Sequence, residues 1–210
     1  MFLTGFSQGG HASYAAHRLI ENDPSIPWKL TGTAGIAGPL DLAGTGLPAR
    51  LEGKSRFSSL YPNWIALSYS RVYGHPLNDV IREPWASNSV ALFAGNNDGA
   101  PIISALPKDP RELLAESATT AILHSEPHWF KDRLAENSIL DWQPHIPVRA
   151  WNVTRDDDVP RSDILALAEA AQAHGFNFSA ADLGAFNHDE SILAAAPQVL
   201  RWFERLRESR

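Results

Sequence analysis

The stretch that most constrains the fold of this chain is Gly5-Phe6-Ser7-Gln8-Gly9, which has the spacing G-x-S-x-G. An apolar run precedes it and apolar residues at helical spacing follow it, so the sequence predicts a strand, a sharp turn and a helix. In such a turn Ser7 projects clear of the backbone, and we expect Gly5 and Gly9 to pack too closely to carry side chains. The alternative is a glycine-rich turn with a surface serine, because so short a motif also arises by chance.

Ser7 needs chemical partners, because a serine hydroxyl is a poor nucleophile without a histidine base and a group that fixes the histidine tautomer. His188 follows the last predicted strand, and Asp156 lies in an acidic loop just after another predicted strand. Functional loops of parallel sheets lie at such strand ends. The helix after Ser7 also places the backbone N–H of Gln8 where an oxyanion would form.

Composition narrows the function classes without choosing one. The 210 residues are enough for one domain with a sizeable core. The net charge of −6 argues against nucleic acid or an anionic membrane as partner. The absence of cysteine excludes disulfides, thiolate metal sites and a cysteine nucleophile. No apolar run approaches a membrane span and no signal-peptide pattern is visible, so the compartment stays unassigned.

Both ends of the chain alternate between strand and helix patterns. Strands are predicted within residues 1–6, 28–39, 146–153 and 176–186, and helices over residues 7–21, 162–174 and 191–206. The first strand has the continuous apolar character of a buried strand, and a β-α-β connection makes its pairing with the second strand parallel. Gly175 closes one helix, and Pro197 divides the last helix or starts its longer half. The predicted fold is α/β, a parallel sheet flanked by helices.

Residues 43–144 follow a different pattern, in which Pro, Trp and Tyr are frequent and strand–helix alternation is absent. Helices are predicted over residues 58–73, 78–85, 88–93, 109–123 and 128–136. Because the α/β pattern resumes afterwards, we interpret this segment as a helical insertion into a core formed by residues 1–42 and 145–210. A separate small helical domain is the alternative.

Three motifs in the order serine, acid, histidine resemble the C-terminal two-thirds of an α/β-hydrolase esterase or lipase. They are GFSQGGH around Ser7, D-x-x-V-P starting at Asp156, and HDESILAAAPQVLRWF starting at His188. Residues 134–147, LAENSILDWQPHIP, are similar to bacterial lipases and esterases of the secretory-lipase type that carry a helical lid. The resemblance covers residues 1–41 and 134–210.

The resemblance implies roles for four residues: Ser7 as nucleophile, His188 as general base, Asp156 as orienting acid and the N–H of Gln8 as an oxyanion donor. It implies hydrolysis of a small-molecule or lipid ester through an acyl-enzyme, without a cofactor, and a lid over residues 43–144. The other histidines show no pair at ligand spacing backed by carboxylates, so no metal site is predicted. Two further acids, Asp157 and Asp158, compete with Asp156, and we interpret both as a solvated acidic turn. Asp189 is predicted to cap the last helix. Four aromatic residues of the insertion line an acyl pocket or form the core of the insertion: Trp64, Tyr69, Trp85 and Trp129.

The sequence departs from the family pattern ahead of Ser7. In the family, several strands precede the serine strand, and a loop after one of them supplies a second oxyanion N–H. Here the first predicted strand is the serine strand itself, so we expect an N-terminally truncated hydrolase whose serine strand is an exposed sheet edge, open to self-association or to pairing with another chain. The alternatives are a peptidase or acyltransferase that uses the same three residues, and an inactive binding or assembly piece.

Overall fold

A computed structural model describes residues 1–53, 55 and 57–209, and leaves Lys54, Arg56 and Arg210 outside the described residues. The chain forms two compact units. The first comprises Met1–Asp41 and Ser138–Arg210, and the second comprises Leu42–Asn137. The role of a lid that the sequence suggests for the second unit stays a prediction.

The two units differ in secondary structure. The first begins with β1 (Phe2–Phe6), α1 (Gln8–Asn22) and β2 (Gly32–Ile36). The second contains a π-helical turn (Leu42–Gly46), α2 (Leu47–Leu51), α3 (Leu60–Tyr73), a 3-10 turn (Leu77–Asp79), α4 (Trp85–Leu92), α5 (Gly99–Ala105), α6 (Pro110–Leu113), α7 (Glu116–His124) and α8 (Trp129–Asn137). The first unit then resumes with β3 (Val148–Asn152), α9 (Ser162–His174), β4 (Phe178–Asp182) and α10 (His188–Glu208).

The four strands form one parallel sheet in the order β1-β2-β3-β4. Parallel pairing of the first two strands is therefore confirmed, with Gly5 of β1 opposite Gly35 of β2. The prediction that β1 is buried is wrong: Thr4 is exposed and the other residues of the strand are half-buried. Within the described residues β1 pairs with β2 alone and forms an edge of the sheet. Association through this edge stays a prediction.

The centre of the sheet is β2, whose five residues are all buried. Its small side chains let helices approach closely: a Cβ added at Gly35 would lie 1.9 Å from Oη of Tyr14, which is fully buried on α1. The Tyr14 hydroxyl has no hydrogen-bond partner among the residues that the structure describes. The opposite face of the sheet packs on α10 through Trp151 and Trp202, whose rings meet edge to face at 5.5 Å. Gly35 is thus a glycine because Tyr14 occupies the place of its side chain.

In the second unit, the single helix predicted over residues 109–123 is wrong. It is divided into α6 and α7, because Leu114 leaves the helix to form an antiparallel bridge with Ile81. Leu113 accepts a bond from Arg82 N–H, and Ala115 donates one to the carbonyl of Val80. The same bridge replaces most of the helix predicted over residues 78–85. The helices predicted over residues 58–73 and 128–136 are confirmed as α3 and α8.

The insertion has its own hydrophobic core, centred on fully buried side chains that include Leu113, Phe130 and Leu134. Three of the four aromatic residues predicted for a pocket or a core, Tyr69, Trp85 and Trp129, pack against this core. Trp64 is 40% exposed and meets Phe93 edge to face. These contacts favour the core interpretation, and an acyl pocket formed by these residues stays a prediction.

The C-terminal helices follow the predicted pattern in part. The bounds predicted for α9 are confirmed, and Gly175 ends it in the left-handed conformation at φ 78°. The prediction that Pro197 divides the last helix is wrong, because α10 runs through this exposed proline without interruption. Although α10 is 21 residues long, neither it nor any other helix in the described parts of the chain combines the length and hydropathy needed to cross a membrane.

A buried polar cluster fastens the C-terminal half of α1 to the segment that leads into β3. His17 is fully buried, with its ring edge to face against Trp142 at 4.8 Å and its Nε2 atom 3.3 Å from Oε1 of Glu21. The Glu21 carboxylate also accepts hydrogen bonds from Trp142 Nε1 and from the backbone N–H groups of His145 and Ile146. Burial lowers the pKa of His17, although the charge of Glu21 acts in the opposite direction.

Tyr14 and Gly35 allow a test of this packing. Replacing Tyr14 by Phe removes a buried hydroxyl without a partner, so we expect the free energy of unfolding to stay level or to rise by about 1 kcal/mol. Gly35→Ala forces a methyl group into the Tyr14 ring, so we expect a loss of about 1–3 kcal/mol, typical of an overfilled core. Urea unfolding monitored by circular dichroism measures both variants. A loss of stability in Tyr14→Phe would contradict this arrangement of the Tyr14 ring and Gly35.

The pKa of His17 predicts how stability depends on pH. The unfolded chain takes up a proton on His17 near pH 6.5, whereas burial keeps the folded side chain neutral to lower pH. The unfolded state therefore binds more protons below about pH 6.5, and the free energy of unfolding falls as the pH is lowered. We expect His17→Gln to reduce this fall. Urea unfolding of both proteins at pH 7.5 and 5.5 measures the difference, and equal slopes would contradict the prediction.

Candidate active site

Ser7 lies in the turn between β1 and α1, in a strained backbone conformation with φ 54° and ψ −123°. The Ser7 N–H donates to the carbonyl of Ile36 at 2.8 Å, and the Ser7 carbonyl accepts from the N–H groups of Gly10 and His11. The strand, turn and helix predicted around this serine are therefore present, and hydrogen bonds on both sides hold the turn in place.

The glycines around Ser7 differ in whether the structure has room for a side chain at their positions. A Cβ at Gly5 would lie 2.0 Å from the carbonyl oxygen of Gly9, so this position excludes a side chain. The prediction for Gly9 is wrong: apart from its chain neighbours and the backbone of its own helix, no atom of the described residues lies within 4 Å of a Cβ built there. It is Gly10 that makes the second close approach, because its Cβ would lie 3.0 Å from Cα of Gly38 in the loop after β2. This contact brings the first turn of α1 against that loop.

The backbone N–H of Gln8 stands at the first position of α1, directly after Ser7. The first N–H groups of a helix have no intrahelical acceptor and lie at the positive end of the helix dipole. The first turn of α1 contains no acidic residue that would offset this dipole. An anion beside Ser7 would therefore meet a favourable electrostatic field.

The structure brings together the three side chains that the sequence singles out from distant parts of the chain. Nε2 of His188 lies 2.9 Å from Oγ of Ser7. Nδ1 of the same ring lies 2.9 Å and 3.1 Å from the two carboxylate oxygens of Asp156. Because a carboxylate only accepts, Nδ1 carries the hydrogen of the neutral ring, and Nε2 is left to accept the hydrogen of the Ser7 hydroxyl. The side chains of His188 and Asp156 are 9% and 4% exposed.

Asp156 is held in place by its own loop. Its Oδ1 atom accepts the backbone N–H groups of Asp158 and Val159, both at 2.8 Å. Of the three consecutive aspartates, it is Asp156 whose carboxylate contacts His188, whereas Asp157 is exposed. These two bonds fix the position of the carboxylate that faces Nδ1 of His188.

His188 is the first residue of α10 and is oriented by contacts on several sides. The Phe6 ring lies 4.9 Å from the imidazole ring, and the Ser191 hydroxyl donates to the backbone carbonyl of His188. The predicted cap Asp189 is wrong: Asn187 is the cap, accepting from the N–H of Glu190 while the Glu190 carboxylate accepts from the N–H of Asn187. The spacing N-x-x-E before an apolar run would have identified this capping box, but no sequence signal identifies the Phe6 contact.

A second histidine near the turn, His11, has a different environment. Its Nδ1 atom lies 3.0 Å from the carbonyl of Pro39, so Nδ1 donates and the ring is held in one tautomer. Burial lowers the pKa of His11. This bond fastens the first turn of α1 to the loop after β2, beside the contact of Gly10 with Gly38.

Among the residues that the structure describes, no group of three or more His, Cys, Asp or Glu side chains is arranged to hold a metal ion.

No protein-family profile and no curated protein matches the sequence, but the fold resembles solved structures. A hydrolase candidate from Legionella pneumophila superposes on 98% of this chain with a TM-score of 0.82 and 17% identity. A ligand-bound form of the rice cell wall degrading esterase LipA from Xanthomonas oryzae superposes on 92% with a TM-score of 0.77 and 25% identity. Candida antarctica lipase A in its closed state superposes on 99% with a TM-score of 0.76 and 13% identity.

This chain spans about half the length of these structures: 56% of the Legionella chain, 53% of the LipA chain and 49% of the Candida chain. At such identities the likeness defines the fold. Together with the parallel sheet flanked by helices, it confirms the predicted α/β-hydrolase fold.

The two glycines of the motif provide a matched pair of variants. Gly5→Ala places a methyl group against the Gly9 carbonyl, so we expect a loss of stability of at least about 1–3 kcal/mol. Gly9→Ala meets open space within a helix, where alanine is favoured over glycine by about 1 kcal/mol, so we expect no loss. Thermal unfolding of the two variants beside the unmodified chain measures the contrast. Equal losses would show that the turn is packed differently.

Proposed function

We propose that this protein is a serine hydrolase that cleaves carboxylic esters through an acyl-enzyme. The observation that carries the proposal is the continuous hydrogen-bonded series from the Ser7 hydroxyl through the His188 imidazole to the Asp156 carboxylate. Its members follow separate strands of an α/β-hydrolase sheet, and Ser7 occupies a strained strand-to-helix turn. Nucleophile, base and orienting acid in this arrangement serve acyl transfer on several unrelated folds.

In the proposed reaction, Oγ of Ser7 attacks the ester carbonyl while Nε2 of His188 accepts the hydroxyl proton. Asp156 accepts from Nδ1 and stabilises the imidazolium that forms. His188 then gives the proton to the leaving alcohol oxygen, which departs and leaves an acyl group on Ser7. Nε2 of His188 next takes a proton from a water molecule, whose oxygen attacks the acyl carbon. The bond between the acyl carbon and Oγ of Ser7 then breaks, and His188 returns the proton to Oγ, which releases the acid and the free serine.

The N–H of Gln8 is the proposed donor to the oxyanion of each tetrahedral intermediate. Its place at the positive end of α1 supports this role, because donors that are already oriented stabilise charge as it develops. Removal of one such donor in a hydrolase typically costs about 100- to 1000-fold in turnover. We assign the second donor to no residue.

An ester is the proposed substrate class, and it rests on the neighbours. One similar structure is named as a cell wall degrading esterase and another as a lipase. We propose a small-molecule or lipid ester as substrate, and the helical unit Leu42–Asn137 as a lid. The same three side chains also suit a peptidase or an acyltransferase, and the choice between these activities is made by experiment.

Fluorophosphonate labelling of the purified chain tests the proposal, because the probe reacts covalently with activated serines. We expect labelling of the unmodified chain and none in Ser7→Ala, and a rate reduced about 100- to 10,000-fold in His188→Ala, the usual contribution of a general base. Asp156→Asn should slow labelling by up to about 10,000-fold through the wrong histidine tautomer. Asp157→Asn is the matched control and should label at the normal rate.

Substrate assays then separate the chemical classes. Hydrolysis of p-nitrophenyl acetate and p-nitrophenyl decanoate without cleavage of peptide anilides would support an ester hydrolase. Peptide cleavage would favour the peptidase, and transfer of the acyl group to an added alcohol in preference to water would favour the acyltransferase. A folded chain that is not labelled at Ser7 would rule out the proposed activity for this chain.

A further inference from the structure

Asp156 lies in one loop and His188 directly follows another, so their contact depends on how these two loops are held together. Asp156 lies in the acid loop (residues 154–160), which follows β3, and His188 follows the histidine segment (residues 183–187), which comes after β4. Gly184 in this segment has φ 89°, a conformation that favours glycine. The histidine segment thus leaves the sheet through a backbone conformation that other residues rarely adopt.

Backbone hydrogen bonds join the two loops along their length. The N–H of Thr154 donates to the carbonyl of Gly184 at 2.9 Å, and the N–H of Arg155 donates to the carbonyl of Phe186 at 3.2 Å. Arg155 and Asn187 form an isolated parallel bridge. The residue before Asp156 therefore lies beside the residue before His188.

The side chain of Arg155 makes a second connection between the same loops. Its Nε–H donates to the carbonyl of Ala185 at 2.9 Å, and its Nη2 atom lies 3.8 Å from Oε2 of Glu190. The same Glu190 oxygen accepts the N–H of Asn187, the cap of α10. One guanidinium thus contacts both the middle of the histidine segment and the carboxylate that fixes the start of α10.

We infer that Arg155 is a positioning residue, whose guanidinium clamps the histidine segment to the acid loop and so keeps His188 in contact with Asp156. The inference rests on the proposed function for its effect on rate. Arg155 touches none of the reacting atoms and acts through Asp156 and His188, which directly follow the bridged residues Arg155 and Asn187. Without the guanidinium, the backbone bonds between the two loops remain but its contacts with Ala185 and Glu190 are lost. Small displacements of a positioned group cost up to about 100-fold in rate.

The decisive variant is Arg155→Gln, and its matched control is Arg18→Gln. Arg18 makes the same kinds of contact elsewhere: its Nη1 atom donates to the carbonyl of Ser138 at 3.1 Å and lies 3.4 Å from a carboxylate oxygen of Asp141. Both substitutions remove one charged side chain that bonds a carbonyl and approaches a carboxylate. A general effect of losing such contacts would appear in both variants, whereas a positioning effect would appear in Arg155→Gln alone.

Two readouts are measured on both variants. The first is the rate of fluorophosphonate labelling of Ser7, which we expect to fall roughly tenfold in Arg155→Gln and to stay unchanged in Arg18→Gln. The second is the far-downfield proton NMR resonance of Nδ1–H of His188, identified by its loss in Asp156→Asn. We expect faster exchange of this proton with water in Arg155→Gln, with little change in the thermal midpoint.

Conservative variants keep the test decisive if Arg155→Gln does not fold. Arg155→Lys keeps the charge but lacks the Nε–H that donates to Ala185, so we expect a labelling rate between those of the unmodified chain and Arg155→Gln. Glu190→Gln keeps the capping bond to Asn187 and removes the charge that faces Arg155, so we expect a smaller loss. Normal labelling and normal exchange in Arg155→Gln, or in Arg155→Lys if the former is unfolded, would overturn the inference.

The two proposals fail in different ways. If Ser7 is not labelled in the unmodified chain, but the Nδ1 proton exchanges faster in Arg155→Gln, then Arg155 positions His188 and the proposed activity is wrong. If Ser7 is labelled equally in both chains and the proton exchanges equally, the activity stands and the positioning role is wrong. An unmodified chain with neither labelling nor the resonance would overturn both.

Discussion

The candidate site depends on one short-range steric constraint, the contact of Gly5 with the carbonyl of Gly9. With no side chain at Gly5, α1 can start immediately after β1 and double back against it, which forces Ser7 into its strained conformation. The bond from the Ser7 N–H to Ile36 then ties the turn to the end of β2. Strain at Ser7 persists because packing and hydrogen bonds on both sides of the turn leave the backbone no alternative.

The parallel sheet turns this local constraint into a site. The carboxyl ends of parallel strands lie at the same end of the sheet. The residue after β1, the loop after β3 and the segment after β4 therefore lie at that end. Small residues in the sheet let a helix pack closely against it, as Gly35 does where Tyr14 of α1 packs. Residues that are far apart in sequence thereby reach hydrogen-bond distance.

Sequence reasoning succeeded where local pattern and tertiary structure agree. The bounds of α9 follow from apolar spacing and Gly175. The side chains of Ser7, Asp156 and His188 meet, and the roles suggested for them stay predictions. It failed where a distant partner decides. Leu114 lies within a helical sequence pattern but pairs with Ile81 in a bridge. Gly9 fits the G-x-S-x-G motif, but a side chain there would meet open space. The cap of α10 is Asn187 and not Asp189, although Asn and Asp are equally favoured at this position.

The position of His188 at the start of α10 has an electrostatic consequence. In the proposed reaction the imidazole becomes a cation at the positive end of a 21-residue helix, whose dipole opposes that charge by about 0.3–1 kcal/mol. Asp189 and Glu190, in the first turn of the same helix, carry negative charge that offsets the dipole. Asp189, which takes no part in the capping box, and Glu190, which does, thus both favour a positive charge at the start of this helix.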